Sequence, residues 1–267
     1  MDFPGRLVLL GHPVAHSLSP AFQNAALQSA GIPLTYETID VTPARLAAVA
    51  ALLREGHGAG NVTVPHKEAF ARLCATRSPV AERVGAVNTF WTEGGALVGD
   101  NTDVGGFEAA VQRHFGEPSA PRQVAVIGSG GASAAILATV ERWEGARARV
   151  FARSRPRAAA LVARFARFAF VVRTVEEAMQ GATLVVNATP VGLDDGDYPV
   201  HPTLIPVGAD VYDLAYRRGE TPWVHACRAR GLRAADGLEM LVEQGALSFE
   251  RWFGRVPDRV VMRGAVQ

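Results

Sequence analysis

The chain has 267 residues, of which 48% are hydrophobic and 20% charged, with 27 glycines and 16 prolines. This globular composition excludes a disordered, collagen-like or disulfide-stapled chain. The net charge of +1 gives no global field that would attract nucleic acid or an anionic membrane, so any basic site must be local.

The apolar stretches and the cysteines point to a cytoplasmic protein. Leu7–Leu10 is too short for the core of a signal peptide, and Val124–Val140 is too short to span a bilayer. Cys74 and Cys227 lack the spacing of a disulfide framework or a zinc site. We therefore expect no metal, no membrane partner and no nucleic-acid partner.

Short β-rich runs alternate with helical segments along the chain, as in parallel sheets with crossover helices. Strands are predicted over Leu7–Gly11, Thr35–Val41, Gly60–Val64, Val124–Ile127, Arg149–Ala152, Phe170–Arg173, Thr183–Asn187 and Asp210–Leu214. A hairpin is predicted for Val87–Thr92 and Ala96–Asp100, which makes the first sheet mixed. Helices are predicted over Pro20–Ala30, Pro43–Arg54, His66–Ala75, Val104–Phe115, Ser133–Trp143, Pro156–Phe165, Pro222–Arg230 and Leu238–Phe253.

This order of elements predicts two α/β domains. Two complete βαβ halves precede a break at 235–237, so a Rossmann-type nucleotide domain is predicted over 103–236. Residues 1–102 and 237–267 would form a substrate-binding domain with a mixed, mostly parallel sheet.

A glycine-rich segment follows the apolar strand that begins at Val124. Gly128 suits the tight turn, Gly130 allows the backbone to approach a pyrophosphate, and the small Ser133 allows close helix packing. The helix N-terminus then supplies N–H donors to the phosphates. Tight strand–helix packing without a ligand is the alternative interpretation of the same glycines.

The end of the next strand favours NADP over NAD. An NAD-binding domain places a carboxylate there, whereas this chain has Arg153 and Ser154 and no acidic residue between Arg147 and Arg173. A guanidinium can bind a 2′-phosphate, which a carboxylate would repel. Most of the eight arginines in this stretch are expected to be surface residues.

Polar residues gather at predicted strand ends in the first domain. Ser17 and Ser19 follow the first strand, where two hydroxyls on one side suit a polyol or a carboxylate, although Ser19 also fits a helix N-cap. Thr63 shares one face of the third strand with Asn61, and that strand runs straight into Lys67 at a helix start, where a lysine opposes the helix dipole. A surface role is the alternative for Lys67.

Asn88 and Asp103 add an amide and a carboxylate at further strand ends, and Asp103 also fits a helix N-cap. Together with the phosphate-binding turn, these residues favour a dehydrogenase. An ammonium held by a carboxylate suits proton transfer to a ketone oxygen as a hydride arrives, which gives Lys67 and Asp103 as the catalytic pair.

These residues resemble the shikimate dehydrogenase family over essentially the whole chain. The motifs that carry the resemblance are Gly11-His-Pro-Val-Ala-His-Ser-Leu-Ser-Pro20, Asn61-Val-Thr-Val-Pro-His-Lys67, Gly85-Ala-Val-Asn-Thr89, Asp100-Asn-Thr-Asp103, Asn187-Ala-Thr-Pro-Val-Gly192 and Asp236-Gly-Leu-Glu-Met-Leu-Val-Glu-Gln-Gly245.

The resemblance implies reversible, NADPH-dependent reduction of 3-dehydroshikimate to shikimate in the chorismate pathway to aromatic amino acids, by a monomer or homodimer. It implies an active-site cleft between two α/β domains, with Lys67 and Asp103 as the catalytic residues. The substrate residues would be Ser17, Ser19, Thr63, Asn88, Tyr216 and Gln244. The cofactor residues would be Gly128, Ser129, Gly130, Gly131, Ala132, Arg153, Ser154, Asn187, Thr189 and Leu214.

One departure and three alternatives remain at this stage. The family often has Asn-Arg-Thr after the second strand of the nucleotide domain, where this chain has Ala152-Arg153-Ser154. A relative acting on quinate or an amino analogue, with relaxed cofactor use, is the nearest alternative. A non-catalytic NADP-binding sensor belongs to another class; it would predict a disrupted pair, yet Lys67 and Asp103 are both present. Folate-linked dehydrogenases share only the domain plan, and Ser17 and Ser19 are not expected there.

Overall fold

A computed structural model describes residues 4–117, 120–192, 197–217 and 219–266. The strands are β1 (Leu7–Gly11), β2 (Tyr36–Asp40), β3 (Ala59–Val62), β4 (Thr76–Arg77), β5 (Thr89–Glu93), β6 (Ala96–Asp100), β7 (Gln123–Ile127), β8 (Arg147–Phe151), β9 (Ala169–Val171), β10 (Leu184–Asn187), β11 (Asp210–Asp213) and β12 (Ala234–Ala235). The helices are α1 (Ser19–Ser29), α2 (Leu46–Glu55), α3 (Lys67–Ala71), α4 (Pro79–Val84), α5 (Asp103–Phe115), α6 (Gly131–Val140), α7 (Arg155–Ala163), α8 (Val175–Met179), α9 (Pro222–Ala229), α10 (Leu238–Phe253) and α11 (Arg259–Gly264). Short 3-10 turns occur at Pro43–Arg45 and Pro202–Leu204.

The chain forms two compact units. Unit 1 comprises Met1–Gly106 with Leu241–Gln267, and unit 2 comprises Phe107–Met240. The boundaries fall within α5 and α10, four residues after the positions predicted from the sequence.

Unit 1 is built on a six-stranded mixed sheet in the order β2-β1-β3-β5-β6-β4. β1 pairs in parallel with both β2 and β3, whereas β5 runs antiparallel to β3 and β6. All five residues of β1 are buried, so this strand reads as one continuous apolar run. Phe70 and Phe90 lie in the core on one face, with ring centroids 4.7 Å apart.

Unit 2 contains an all-parallel sheet in the order β12-β11-β10-β7-β8-β9. The chain starts at β7 in the middle and adds strands first on one side and then on the other, which is the Rossmann strand order. The largest buried side chain of its core is Trp223, whose Nε1 donates to Val200 O at 2.8 Å. The predicted α/β class, with one mixed and one parallel sheet, is confirmed.

Four short elements in unit 1 differ from the prediction: α3 is shorter than predicted, and β4, α4 and α11 were not predicted. The helix predicted over His66–Ala75 ends at Ala71, where Arg77 Nη1 donates to the Ala71 carbonyl at 2.9 Å. The chain then forms β4 and the unpredicted helix α4. Ser78 Oγ caps α4 by accepting from Ala81 N at 3.0 Å, and Gly85 ends it with a φ of 66°.

Candidate active site

The topology of unit 1 brings the predicted catalytic residues to one edge of the sheet. β3 and β6 both run antiparallel to β5, so β3 and β6 end, and β5 begins, at the same edge. Lys67 follows β3, Asn88 precedes β5, and Asp103 follows β6. Residues that are far apart in the sequence therefore meet because of strand direction.

Lys67 and Asp103 form a shielded ion pair at this edge. Lys67 Nζ donates to Asp103 Oδ2 at 2.7 Å, and the two side chains are 18% and 5% exposed. Each residue is the first of its helix, α3 or α5. Exclusion of water strengthens the attraction between the two charges, so the carboxylate holds the ammonium in one place.

Asn88 completes the arrangement around the carboxylate. Its Nδ2 donates to Asp103 Oδ1 at 2.9 Å and lies 3.2 Å from Gln244 Oε1. Asn88 is buried, whereas Gln244 on α10 is half-buried. Both oxygens of Asp103 thus accept a bond from a side chain, Lys67 on one and Asn88 on the other, so this carboxylate is more than a helix cap.

The loop after β6 is fixed by its own side chains. Asp100 Oδ1 accepts from Asn101 N at 2.7 Å, and Asp100 Oδ2 accepts from Arg251 Nε at 2.7 Å. Asn101 Nδ2 donates to Ala86 O at 2.9 Å. These bonds order the two residues that lead into Asp103, which limits how far its carboxylate can move.

The two predicted serines lie after β1, at the carboxyl end of the strand. Ser17 Oγ accepts from Ser19 N at 3.2 Å, and Ser19 is buried as the first residue of α1. The N-cap interpretation of Ser19 is wrong, because Leu18 occupies that position and the Ser17 hydroxyl accepts the N–H bond. Thr63 is half-buried, and its N–H donates to Leu10 O at 2.8 Å, which holds it beside the end of β1.

In unit 2 the glycine-rich turn joins β7 to α6. Gly128 has a φ of 124°, and a Cβ there would lie 2.7 Å from Ala188 O, so only glycine fits. Gly130 has an ordinary φ of −92°, and a Cβ there would meet no atom within 4 Å. Gly130 therefore leaves open space in front of α6, whose first residue is Gly131. Ser129 and Ala132 flank this space and are half-buried.

Ser133, in the first turn of α6, is fully buried, and its Oγ has no hydrogen-bond partner among the described residues. Arg153 and Ser154 follow β8. Arg153 is exposed, and Ser154 is the N-cap of α7 without a side-chain cap bond. The end of β8 thus presents a cation and a hydroxyl, as predicted for a 2′-phosphate site.

A hydrogen-bonded turn follows β10, the neighbour of β7. Asn187 Nδ2 donates to Asp213 Oδ1 at 2.8 Å and to Val191 O at 2.9 Å, while Asn187 Oδ1 accepts from Thr189 N and Oγ1 at 3.0 and 2.7 Å. Asp213 is fully buried, and desolvation raises its pKa to about 6 despite hydrogen bonds from Thr221 and Asn187. The turn at 187–191 therefore depends on a buried carboxylate.

Two further predicted residues lie just after β11. Leu214 is half-buried, and its N–H donates to Asn187 O at 2.9 Å. Tyr216 is half-buried in the same stretch of unit 2. The other predicted substrate residues all belong to unit 1, so the substrate role of Tyr216 stays a prediction.

Sequence reasoning missed three signals. The chain contains 26 arginines and one lysine, and that lysine is Lys67. An arginine cannot release its proton in a protein, whereas a lysine can, so this lysine is the candidate for proton transfer. The other two signals are Thr102 and Ser248, whose buried hydroxyls lie 3.1 Å apart behind Asn88.

The described residues contain neither a membrane-spanning helix nor a metal-binding cluster. None of their helices combines the length and the apolar character needed to cross a membrane. Their His, Cys, Asp and Glu side chains include no group of three or more arranged to hold a metal ion.

The sequence matches two family profiles at its ends. The profile described as "Shikimate dehydrogenase substrate binding domain" matches residues 9–90, and "Shikimate 5'-dehydrogenase C-terminal domain" matches residues 237–267.

Curated relatives match along almost the full chain. "Shikimate dehydrogenase (NADP(+))" of Symbiobacterium thermophilum is 41% identical, with 98% of this chain and 94% of the relative covered. The protein of the same name from Mesorhizobium japonicum is 40% identical, with 93% and 90% covered. The shikimate 5-dehydrogenase of Thermus thermophilus, solved in complex with NADP(H) and shikimate, superposes with a TM-score of 0.88 at 39% identity and covers 97% of each chain. The family predicted from the motifs is confirmed: this chain belongs to the shikimate dehydrogenase family.

Proposed function

We propose that this protein is an NADPH-dependent oxidoreductase that reversibly reduces 3-dehydroshikimate to shikimate in chorismate biosynthesis. The observation that carries the proposal is the Lys67–Asp103 pair, in which the only lysine of the chain is held at 2.7 Å by a buried carboxylate. The proteins it resembles are named for this activity, and the solved Thermus relative contains both NADP(H) and shikimate.

Lys67 handles the proton in this proposal. When bound, NADPH supplies the hydride that reduces the carbonyl carbon. Lys67 Nζ then gives a proton to the carbonyl oxygen, and in the reverse direction it accepts the proton of the hydroxyl. Asp103 keeps Nζ oriented in both protonation states, because its Oδ2 accepts from the amine as well as from the ammonium.

The substrate's ring hydroxyls and carboxylate need several donors and acceptors. Ser17, Ser19 and Thr63 offer hydroxyls after β1 and β3, while Asn88 and Gln244 offer amides beside Asp103. Tyr216 would add a phenol from unit 2. These assignments follow the family resemblance, and the partly exposed positions of Ser17, Thr63 and Gln244 support them.

The residues of unit 2 fit NADP(H). The space before Gly130 accommodates a pyrophosphate, and the first turn of α6 carries free N–H donors. Asn187 and Thr189 would line the cofactor on the adjacent strand, together with Leu214. Arg153 and Ser154 would bind the 2′-phosphate, because the end of β8 carries no carboxylate to repel it.

A non-catalytic sensor is a weaker alternative. Such a protein would not need a lysine side chain that is only 18% exposed and bonded to a carboxylate, because a pair that transfers protons is useful only in catalysis.

The cytoplasmic location and a monomeric or homodimeric state belong to the proposal as well.

A dehydrogenase assay tests the proposal. Purified protein is mixed with shikimate or quinate, each with NADP or NAD, and formation of the reduced cofactor is followed by absorbance. The proposal predicts the highest kcat/KM for shikimate with NADP. A preference for quinate or NAD would favour the broader relative, and no turnover of any pair would favour the sensor.

A further inference from the structure

A buried hydroxyl on α10 joins three segments of unit 1. Ser248 is fully buried. Its Oγ accepts from Asn61 Nδ2 at 2.8 Å, lies 3.1 Å from Thr102 Oγ1, and donates to Gln244 O at 3.0 Å. Ser248 therefore contacts β3, the residue before Asp103, and the helical turn that carries Gln244.

The directions of these hydrogen bonds follow from two backbone groups, an N–H that can only donate and a carbonyl that can only accept. Thr102 N is a backbone donor 2.7 Å from Asn88 Oδ1, so the Asn88 nitrogen must point the other way. Asn88 Nδ2 then donates to Thr102 Oγ1 and to Asp103 Oδ1, both at 2.9 Å. Since Ser248 gives its only proton to Gln244 O, the 3.1 Å bond between the two hydroxyls forms with Thr102 as the donor. The other acceptor near Thr102 Oγ1 is Asn88 Oδ1, which lies farther away, at 3.2 Å, and already accepts from Thr102 N. The bonds thus run in one direction from Asn88 through Thr102 to Ser248.

We propose that Ser248 is a positioning residue. By accepting the Thr102 hydroxyl proton, it leaves Thr102 Oγ1 free to accept from Asn88, which fixes the amide that donates to Asp103 and so orients the Lys67–Asp103 pair. The proposal rests on the proposed function, in which this pair moves the proton. Ser248 is fully buried, so it acts through its neighbours and not on the substrate.

Loss of the Ser248 hydroxyl would allow the Thr102 hydroxyl to donate to a different acceptor. Thr102 Oγ1 lies 3.2 Å from Asn88 Oδ1 and can turn its proton there once Ser248 no longer accepts it. Asn61 Nδ2 would lose its bond to Ser248 and keep the one to Asn88 O, at 3.0 Å, while Asn61 Oδ1 would still accept from Tyr36 Oη at 2.8 Å. The Asn88 amide would then be held by a hydroxyl with two orientations instead of one, which loosens its bond to Asp103.

A double-mutant cycle tests the proposal. Ser248→Ala and the near-isosteric Thr102→Val each remove one side of the same hydrogen bond. We expect each to lower kcat by about 10-fold and to raise KM for shikimate by about 5-fold, with KM for NADP unchanged. The double variant should resemble the single ones, whereas independent effects would multiply to about 100-fold in kcat.

Two control variants separate positioning from general destabilisation. Thr102→Ser keeps the hydroxyl and should restore near-wild-type kinetics. Thr139→Val removes another fully buried helical hydroxyl, which donates four residues back to Ala135 O at 3.1 Å just as Ser248 donates to Gln244 O. It should leave KM for shikimate unchanged.

A second measurement does not depend on turnover. NMR of the Asn88 side-chain amide should show faster proton exchange in Ser248→Ala than in the wild type, and the same in Thr102→Val if Ser248→Ala does not fold. Multiplicative kinetic effects, a parallel rise of both KM values, or unchanged Asn88 exchange would each overturn the role of Ser248. Absence of shikimate turnover by the wild type would instead overturn the proposed function, with the Asn88 exchange still deciding the positioning role.

Discussion

The two units present their functional groups in opposite ways. In unit 1 the proposed reacting groups are side chains, and Asp103 and Asn88 are at most 4% exposed and held by hydrogen bonds. In unit 2 the proposed phosphate site is made of backbone, and the charged side chain predicted to select the cofactor, Arg153, is exposed. Buried side chains act as a unit and open backbone does not, so substitutions in unit 1 should be more severe.

The largest effect of a single substitution is expected at Lys67. Lys67→Ala should lower kcat by about 10²- to 10⁴-fold, the range of general acid–base catalysis, with a modest change in KM for shikimate. Steady-state kinetics with both substrates varied would measure this. An unchanged kcat would remove the main support for the contrast between the units.

Lys67→Arg separates charge from proton transfer. Arginine keeps the positive charge beside Asp103 but does not release a proton at neutral pH, so this variant should be nearly as inactive as the alanine variant. Retained activity would mean that only the charge matters. Since Lys67 is the only lysine, an amine-directed reagent should inactivate the enzyme by modifying this side chain, with shikimate giving protection.

The pairing of Lys67 with Asp103 was predictable because both residues lie in local motifs. Lys67 and Asp103 both follow predicted strands, and the mixed sheet implied by the 93–95 turn puts those strand ends on one edge. Ser248 was not predictable in this way. It lies on an amphipathic helix at a position that looks like any small core residue, and its partners are 146 and 187 residues away in sequence.

Short elements show the same limit in the fold. α4 carries a serine cap, a proline in the first turn and a terminal glycine, all visible in the sequence, yet its six residues are too few for a helical period to appear. β4 has two residues and exists only because it pairs with β6. Long apolar runs such as β1 can be recognised from the sequence without knowledge of the strands they pair with.

Two glycines test whether unit 2 depends on its backbone. Gly130→Ala adds a methyl group that meets nothing in the protein, so the fold should remain as stable as the wild type. The same methyl group would intrude on a bound pyrophosphate and weaken NADP binding by about 10- to 100-fold, in line with an overpacking cost of about 1–3 kcal/mol. Calorimetric titration and thermal unfolding would measure the two effects.

Gly128→Ala is the matched comparison. Its φ of 124° and the 2.7 Å approach to Ala188 O put the clash inside the protein itself. We expect loss of about 1–3 kcal/mol of stability in addition to weaker NADP binding. If both variants lose stability equally, the space in front of Gly130 is part of the fold and not a cofactor site.

Arg153 should give a smaller, selective effect. Arg153→Ala should raise KM for NADP by about 10-fold, since one hydrogen-bonded charge contributes about 1.5–3 kcal/mol and the position is exposed to water. KM for NAD should not change. Arg167→Ala removes an equally exposed charge from the same basic stretch and should affect neither cofactor. Equal weakening with NADP and NAD would assign Arg153 a structural role.

Asp213 tests a place where unit 2 relies on a buried carboxylate. Burial raises its pKa from 3.8 to about 6, so the folded protein holds the proton more tightly than the unfolded chain. The ionised carboxylate therefore costs stability, with none of the cost present below pH 3.8 and all of it present above about pH 6. As the pH rises from 3.8 to about 6, Asp213→Asn should gain stability relative to the wild type, by about 3 kcal/mol at most. Urea unfolding of both proteins at several pH values would measure the difference, and a constant difference would mean that Asp213 is as ionisable in the fold as in water.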